Sequence, residues 1–171
     1  MKHIRLILIA LLGMMVLSAN AQILSRGVSK ELAEHRKANI SNVIYDLTFN
    51  IPADQNQKVT GSAVICFDVK KVEDIILDFQ GEFNGKCSAI VPKNKKKTKF
   101  KTVAFQAAYQ NEHIIIPKNV VTEGSNRIEL SFASLDKALN RNQDYLYTIF
   151  VPDLARSVFP CFDQPDLRAM L

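Results

Sequence analysis

Residues 43–51 read Val-Ile-Tyr-Asp-Leu-Thr-Phe-Asn-Ile, and residues 59–69 read Val-Thr-Gly-Ser-Ala-Val-Ile-Cys-Phe-Asp-Val. In the first stretch Val43, Tyr45, Leu47, Phe49 and Ile51 alternate with Ile44, Asp46, Thr48 and Asn50. Successive side chains of a strand point to opposite faces, so this period of two predicts a strand with one apolar and one mixed face. The second stretch repeats the pattern: Val59, Gly61, Ala63, Ile65, Phe67 and Val69 lie against Thr60, Ser62, Cys66 and Asp68. Pro52 and the polar run to Gln57 make the turn between them. Gly61, inside a strand pattern, marks a bulge or a close backbone approach.

The same reading extends outward. Ile75, Leu77 and Phe79 alternate with Asp74, Asp78 and Gln80, and Gly81 and Gly85 bracket a turn. A short strand from Cys87 to Val91 ends at Pro92, and a lysine-rich loop leads into Phe100–Ala108. His113–Ile116 is a brief apolar strand stopped by Pro117, and Ile128, Leu130 and Phe132 point inward from a strand over Arg127–Phe132. Leu135–Asp144 is polar and reads as a loop or a helical turn. Upstream, Ser29 caps a short helix from Lys30 to Ala38 whose apolar stripe is thin, Leu32 and Ala33. Short strands with turn residues between them and no alternation with long helices predict an all-β fold. The expected form is an antiparallel β-sandwich or a pair of curved, saddle-like sheets with a short N-terminal helix.

The chain has 171 residues and a formal net charge of +5. Its first residues have the layout of a secretory signal peptide: Lys2 and Arg5, an apolar run Leu6–Leu17, then Ser18-Ala19-Asn20-Ala21 with small residues at −3 and −1 of a cut after Ala21. The run is well short of the ~20 residues that a bilayer span needs. The expected organisation is a signal peptide at 1–21 and one β-domain at 22–171, exported to the periplasm or the outside of the cell, with no membrane anchor once the leader is cut. Of the three cysteines, Cys66, Cys87 and Cys161, Cys161 reads as a buried thiol. A Cys66–Cys87 bridge stays open in an oxidising compartment.

Catalytic patterns are missing. The chain has no His-Glu-x-x-His, no Gly-x-Ser-x-Gly elbow and no phosphate-binding glycine loop. A catalytic zinc takes three protein ligands, and removal of the leader leaves two histidines, His35 and His113. Glu31 and His35 share a helix face at four-residue spacing and read as a solvated pair. The basic run Lys93–Lys101 has Phe100 as its one aromatic, which gives no base-stacking surface, so nucleic acid is not an expected partner. It reads as a solvated hairpin loop.

The C-terminal stretch carries the most specific signal. It reads Tyr147-Thr-Ile-Phe-Val-Pro-Asp-Leu-Ala-Arg156-Ser-Val-Phe159-Pro160-Cys161-Phe162-Asp163-Gln164-Pro165. Ala155-Arg156 followed three residues later by Pro-Cys-Phe-Asp-Gln-Pro closely resembles the end of the N-terminal domain in zinc aminopeptidases of the aminopeptidase N family. The Tyr45-Asp46-Leu47 strand and Gly61-Ser62-Ala63 support the same resemblance. From the residues themselves, the prolines fix turns, Phe159 and Phe162 anchor the turn in the core, and Arg156 with Asp163 is expected to form a clamp.

The resemblance implies a non-catalytic N-terminal domain, incomplete at its C-terminal edge, of an exported enzyme that removes N-terminal residues from peptides. It implies zinc in the complete enzyme, with the zinc helix beyond Leu171, and no catalytic or metal residue in this chain. In the family a glutamine upstream of the Ala-Arg pair holds the substrate's amino group. That position is Ile149 here, which has no acceptor for an ammonium. The alternative reading is a free-standing secreted β-sandwich module that binds glycan or protein.

Overall fold

The computed structural model describes residues 24–93, 99–135 and 137–170. The signal-peptide reading at 1–21 and the lysines at 95–97 lie outside the described residues. The strand reading holds. Strands β1 (Ile40–Asn50), β2 (Thr60–Val69), β3 (Ile75–Asp78), β4 (Lys86–Pro92), β5 (Phe100–Gln106), β6 (Ala108–Gln110), β7 (His113–Ile116) and β8 (Gly124–Ala133) occupy the alternating stretches. Helix α1 (Lys30–Asn39) begins where expected, with Ser29 Oγ accepting the Leu32 amide at 3.1 Å. Among the described residues no helix is long and apolar enough to cross a membrane.

Two antiparallel-dominated sheets enclose the core. The larger runs β11-β1-β2-β8-β4-β5, with the short β11 (Ala169–Met170) parallel to β1 at its edge. The smaller runs β3-β7-β6. Ala63, Ile65 and Phe67 of β2 and Ile128, Leu130 and Phe132 of β8 face inward from the first sheet, and Ile75, Leu77, Ile114 and Ile116 join the same core from the second. The register of β1, β2 and β8 sets Phe49 opposite Gly61 and Gly61 opposite Phe132. A Cβ on Gly61 would come 2.6 Å from the Thr48 carbonyl oxygen and 2.8 Å from the Phe132 ring. The glycine therefore marks a close approach. The irregularity falls in β1 instead, between Ser41 and Ile44, where Asn42 adopts φ 53°.

Two local readings are corrected, and one left open is answered. The polar segment Leu135–Asp144 holds a strand, β9 (Leu139–Arg141), which forms a two-stranded hairpin with β10 (Leu146–Thr148). Leu139 supplies the reason: it is buried in the core, and the strand puts it there. Asp78 does not face solvent from the polar side of its strand: it is fully buried, against Arg36, His113 and the Cys161 backbone. Cys66 and Cys87 do not bridge, and all three thiols are free. Strand β8 separates them, and they sit opposite Arg127 and Leu130, positions whose side chains point to opposite faces.

Candidate functional site

Two features meet near the C-terminal run: a buried polar hub and an exposed apolar segment. The hub begins at Asp78, at the end of β3. Its carboxylate accepts two hydrogen bonds of 2.7 Å from Arg36 of α1, one from each terminal guanidinium nitrogen, and a third of 2.9 Å from the Asp163 amide. Arg36 also donates to the Ile76 carbonyl at 2.8 Å, and its guanidinium carbon lies 5.5 Å from the centre of the Phe162 ring. A charge with no water must be met by opposite charge and hydrogen bonds, and here each side of the carboxylate is met.

His113 of β7, paired with Asp78 across the small sheet, completes the hub. Its Nδ1 lies 3.0 Å from Asp78 Oδ1, too oblique for a straight hydrogen bond, so the contact is chiefly Coulombic. Its Nε2 meets the Ser25 carbonyl at 2.9 Å. Both neighbours are acceptors, which favours the imidazolium. Burial alone would push the ring's pKa down, but Asp78 and the Ser25 carbonyl outweigh it and hold it above the ordinary value. For Asp78 burial works against ionisation, while His113 and Arg36 keep the carboxyl below its usual range.

The Pro160–Pro165 turn is built onto this hub. The Asp78 amide donates to the Cys161 carbonyl at 2.7 Å and the Cys161 amide returns a bond of 3.1 Å, so the turn pairs with β3 as a one-residue bridge. The Phe162 amide donates to Tyr45 Oη at 2.8 Å. Gln164 Nε2 donates to the Ala33 carbonyl of α1 at 3.1 Å. Phe159 meets the rings of Tyr45, Phe49 and Phe150 edge-on at 5.9, 6.4 and 5.8 Å, and Phe162 meets Phe67 at 5.7 Å. Pro160 and Cys161 are buried and Pro165 is exposed. Burial, with Asp163 and Asp78 nearby, raises the Cys161 thiol well above its ordinary pKa, so it is an inert core group.

The expected Arg156–Asp163 clamp takes another form. Arg156 Nη2 pairs with Asp153 at 2.7 Å, and Asp163 accepts the Arg156 backbone amide at 3.2 Å. The short 3-10 turn at Ala155–Ser157 explains the difference: it aims the Arg156 amide at Asp163 and lets the side chain reach back three residues. Burial raises the Asp163 pKa, against the pull of that amide. The buried Arg–carboxylate clamp of this domain is Arg36–Asp78, which the sequence reading missed. Its signal was a carboxylate inside Ile-Ile-Leu-Asp-Phe, where apolar neighbours on both sides bury the strand on both faces.

Upstream of the hub the chain turns outward. Tyr145, Tyr147, Ile149 and Val151 are exposed, Val151 at 77%. The Val151–Pro152 peptide is cis. Ile149, the position opposite which the resemblance places a substrate's amino group, is 52% exposed and is held by its amide to the Ala138 carbonyl at 3.3 Å. Its side chain thus projects from a fixed backbone. Beneath it Leu47, Phe49, Leu139, Leu146, Phe150 and Phe159 line an apolar cavity of about 240 Å³.

The comparisons with known proteins bear on the fold. The family described as Peptidase M1 N-terminal domain matches residues 41–171. The chain belongs to this family. Among solved structures it is similar to native leukotriene A4 hydrolase from Saccharomyces cerevisiae, with a TM-score of 0.51 and 17% identity. The match covers 77% of this chain and 22% of that one, and at this identity it shows the fold. No curated protein matches. Among the described residues no three His, Cys, Asp or Glu side chains come together as a metal group. His113 faces Asp78 and Ser25, and His35 pairs with Glu73 at 2.7 Å.

Proposed function

We propose that this chain is the exported, non-catalytic N-terminal domain of an M1 zinc aminopeptidase, and that the segment Tyr145–Val151 forms one wall of its substrate cleft. The observation that carries the reading is the family match over residues 41–171, which takes in the exposed apolar strip Tyr145–Val151. The hub supports the division of labour. Its carboxylate, imidazole and guanidinium face one another and backbone groups inside the fold, which gives them a positioning task rather than chemistry. Ile149 offers a substrate apolar contact and no acceptor, so recognition of a peptide's amino group falls to other parts of the enzyme.

The test is a purified mature chain assayed with aminoacyl anilides and by elemental analysis. The expected result is no turnover and no stoichiometric metal. One zinc per chain together with turnover would overturn the proposal.

A further inference from the structure

Residues 24–27 run over the hub before α1 begins, and the hub holds them at two points. Asn111 Nδ2 donates to the Leu24 carbonyl at 2.7 Å, and His113 Nε2 meets the Ser25 carbonyl at 2.9 Å. At the far end Gly27 adopts φ 79°, and a Cβ there would lie 3.8 Å from both terminal nitrogens of Arg156. The segment therefore crosses from the β6–β7 turn to the Arg156 turn. His113 has no exposed surface.

We propose that residues 24–27 form a strap, closed over the Arg36–Asp78 pair by the doubly protonated ring of His113 and loosened when that ring loses a proton. A carbonyl oxygen only accepts, so Nε2 carries a proton in the closed form. A carboxylate oxygen at 3.0 Å favours a second proton on Nδ1. Removing either proton leaves a ring lone pair against an oxygen, or turns a charge-assisted bond to Ser25 into a neutral one of roughly half the strength.

The charges around the ring set the direction. Asp78 on β3 holds the proton, while Arg36 from α1, on the same carboxylate, opposes it. Glu112, the residue before His113, places its carboxylate on Gln80 Nε2 at 2.9 Å. The strap's own Arg26 acts on Tyr109. The Asp163 amide shares the Asp78 carboxylate from the C-terminal turn. Asp78 is thus the anion in contact with the ring, and proton loss leaves it with Arg36 alone among the cations. The strap then keeps the Asn111 bond to the Leu24 carbonyl.

The experiment is hydrogen exchange on the full chain across pH, with intrinsic rates divided out, alongside a proton NMR titration of the two mature-chain imidazoles. Exchange protection of the strap is expected to fall by up to about tenfold per pH unit between the open- and closed-state pKa values of His113. Protection of β2 and β8 should stay level. In His113→Gln the strap should be loosened at every pH and lose that dependence, while His35→Gln should keep it. Strap protection that is level with pH in the wild-type chain would overturn the proposal. So would an imidazole of His113 that titrates at or below its ordinary value, a readout that does not depend on any variant folding.

Discussion

Arg36 and Asp78, 42 residues apart in sequence, meet through two parallel hydrogen bonds of 2.7 Å with both side chains out of water. The pair ties α1 to the end of β3. Through the Asp163 amide on the same carboxylate, it also ties both to the Pro160–Pro165 turn. Three distant parts of the chain therefore depend on one buried anion.

Removing that anion should be severe. Breaking one partner of a buried pair typically costs about 3–5 kcal/mol, because the other charge stays behind unpaired. Asp78→Asn leaves Arg36 and His113 without their shared counterion, so a loss in that range is expected from urea unfolding. A loss below about 1 kcal/mol, the scale of an exposed pair, would show that water reaches the site.

Gly61 gives a sharper steric test. A methyl group there meets backbone, the Thr48 carbonyl, at 2.6 Å, and the Phe132 ring at 2.8 Å. Backbone in the middle of a paired strand yields little, so Gly61→Ala should destabilise by about 1–3 kcal/mol despite the better strand propensity of alanine. Thermal unfolding of the two proteins checks it.

What the sequence made legible follows from periodicity. The faces of β1, β2 and β8 carry long alternation, and the structure keeps each of them. The hub was not legible because no period points to it. Arg36 lies on a helix that reads as solvated, Asp78 on the polar side of a strand, and His113 at the start of a four-residue one. Their meeting depends on α1 being placed so that Arg36 reaches the end of β3, a tertiary choice that local pattern does not encode. The β9–β10 hairpin escaped for a related reason: Leu139 alone carries its burial, too little for a period of two. The C-terminal run was legible as a family signature, while the way Arg156 and Asp163 meet needed the geometry of the turn.

The free thiols should differ in reactivity. Cys66 is partly exposed, Cys161 is buried, and burial pushes the Cys87 thiol up to about 12. An aromatic disulfide reagent should label Cys66 first in the native protein and all three only after unfolding. Labelling of fewer than three in denaturant without reductant would reveal a bridge.

Export is tested by the mature terminus. The Lys2/Arg5 region, the apolar run Leu6–Leu17 and the Ala19/Ala21 pair predict a cut after Ala21. N-terminal sequencing of secreted protein should begin at Gln22. Recovered protein that still carries Met1 would contradict this.

The hub also sets the pH profile of stability. The His113 pKa is raised above its ordinary 6.5: burial lowers it, but Asp78 and the Ser25 carbonyl raise it further. A raised base contributes stability that is complete below about 6.5 and is lost as pH climbs through the folded value. Asp78 acts on the other side. Burial raises its pKa, the neighbouring His113 ring and the bonds from Arg36 lower it more, and its contribution is complete above 3.8 and lost as pH falls through the depressed folded value. Asp163, raised by burial, has the opposite sign, with a cost above its folded value that disappears on acidification. Cys87 and Cys161 have raised pKa values too, and they matter only above 9.0, where unfolded thiols ionise. Between about pH 6 and pH 8.5 the falling limb therefore belongs to His113. The urea midpoint should drop across that window in the wild-type chain and stay nearly level in His113→Gln. A midpoint that drops equally in both would move the responsible proton elsewhere.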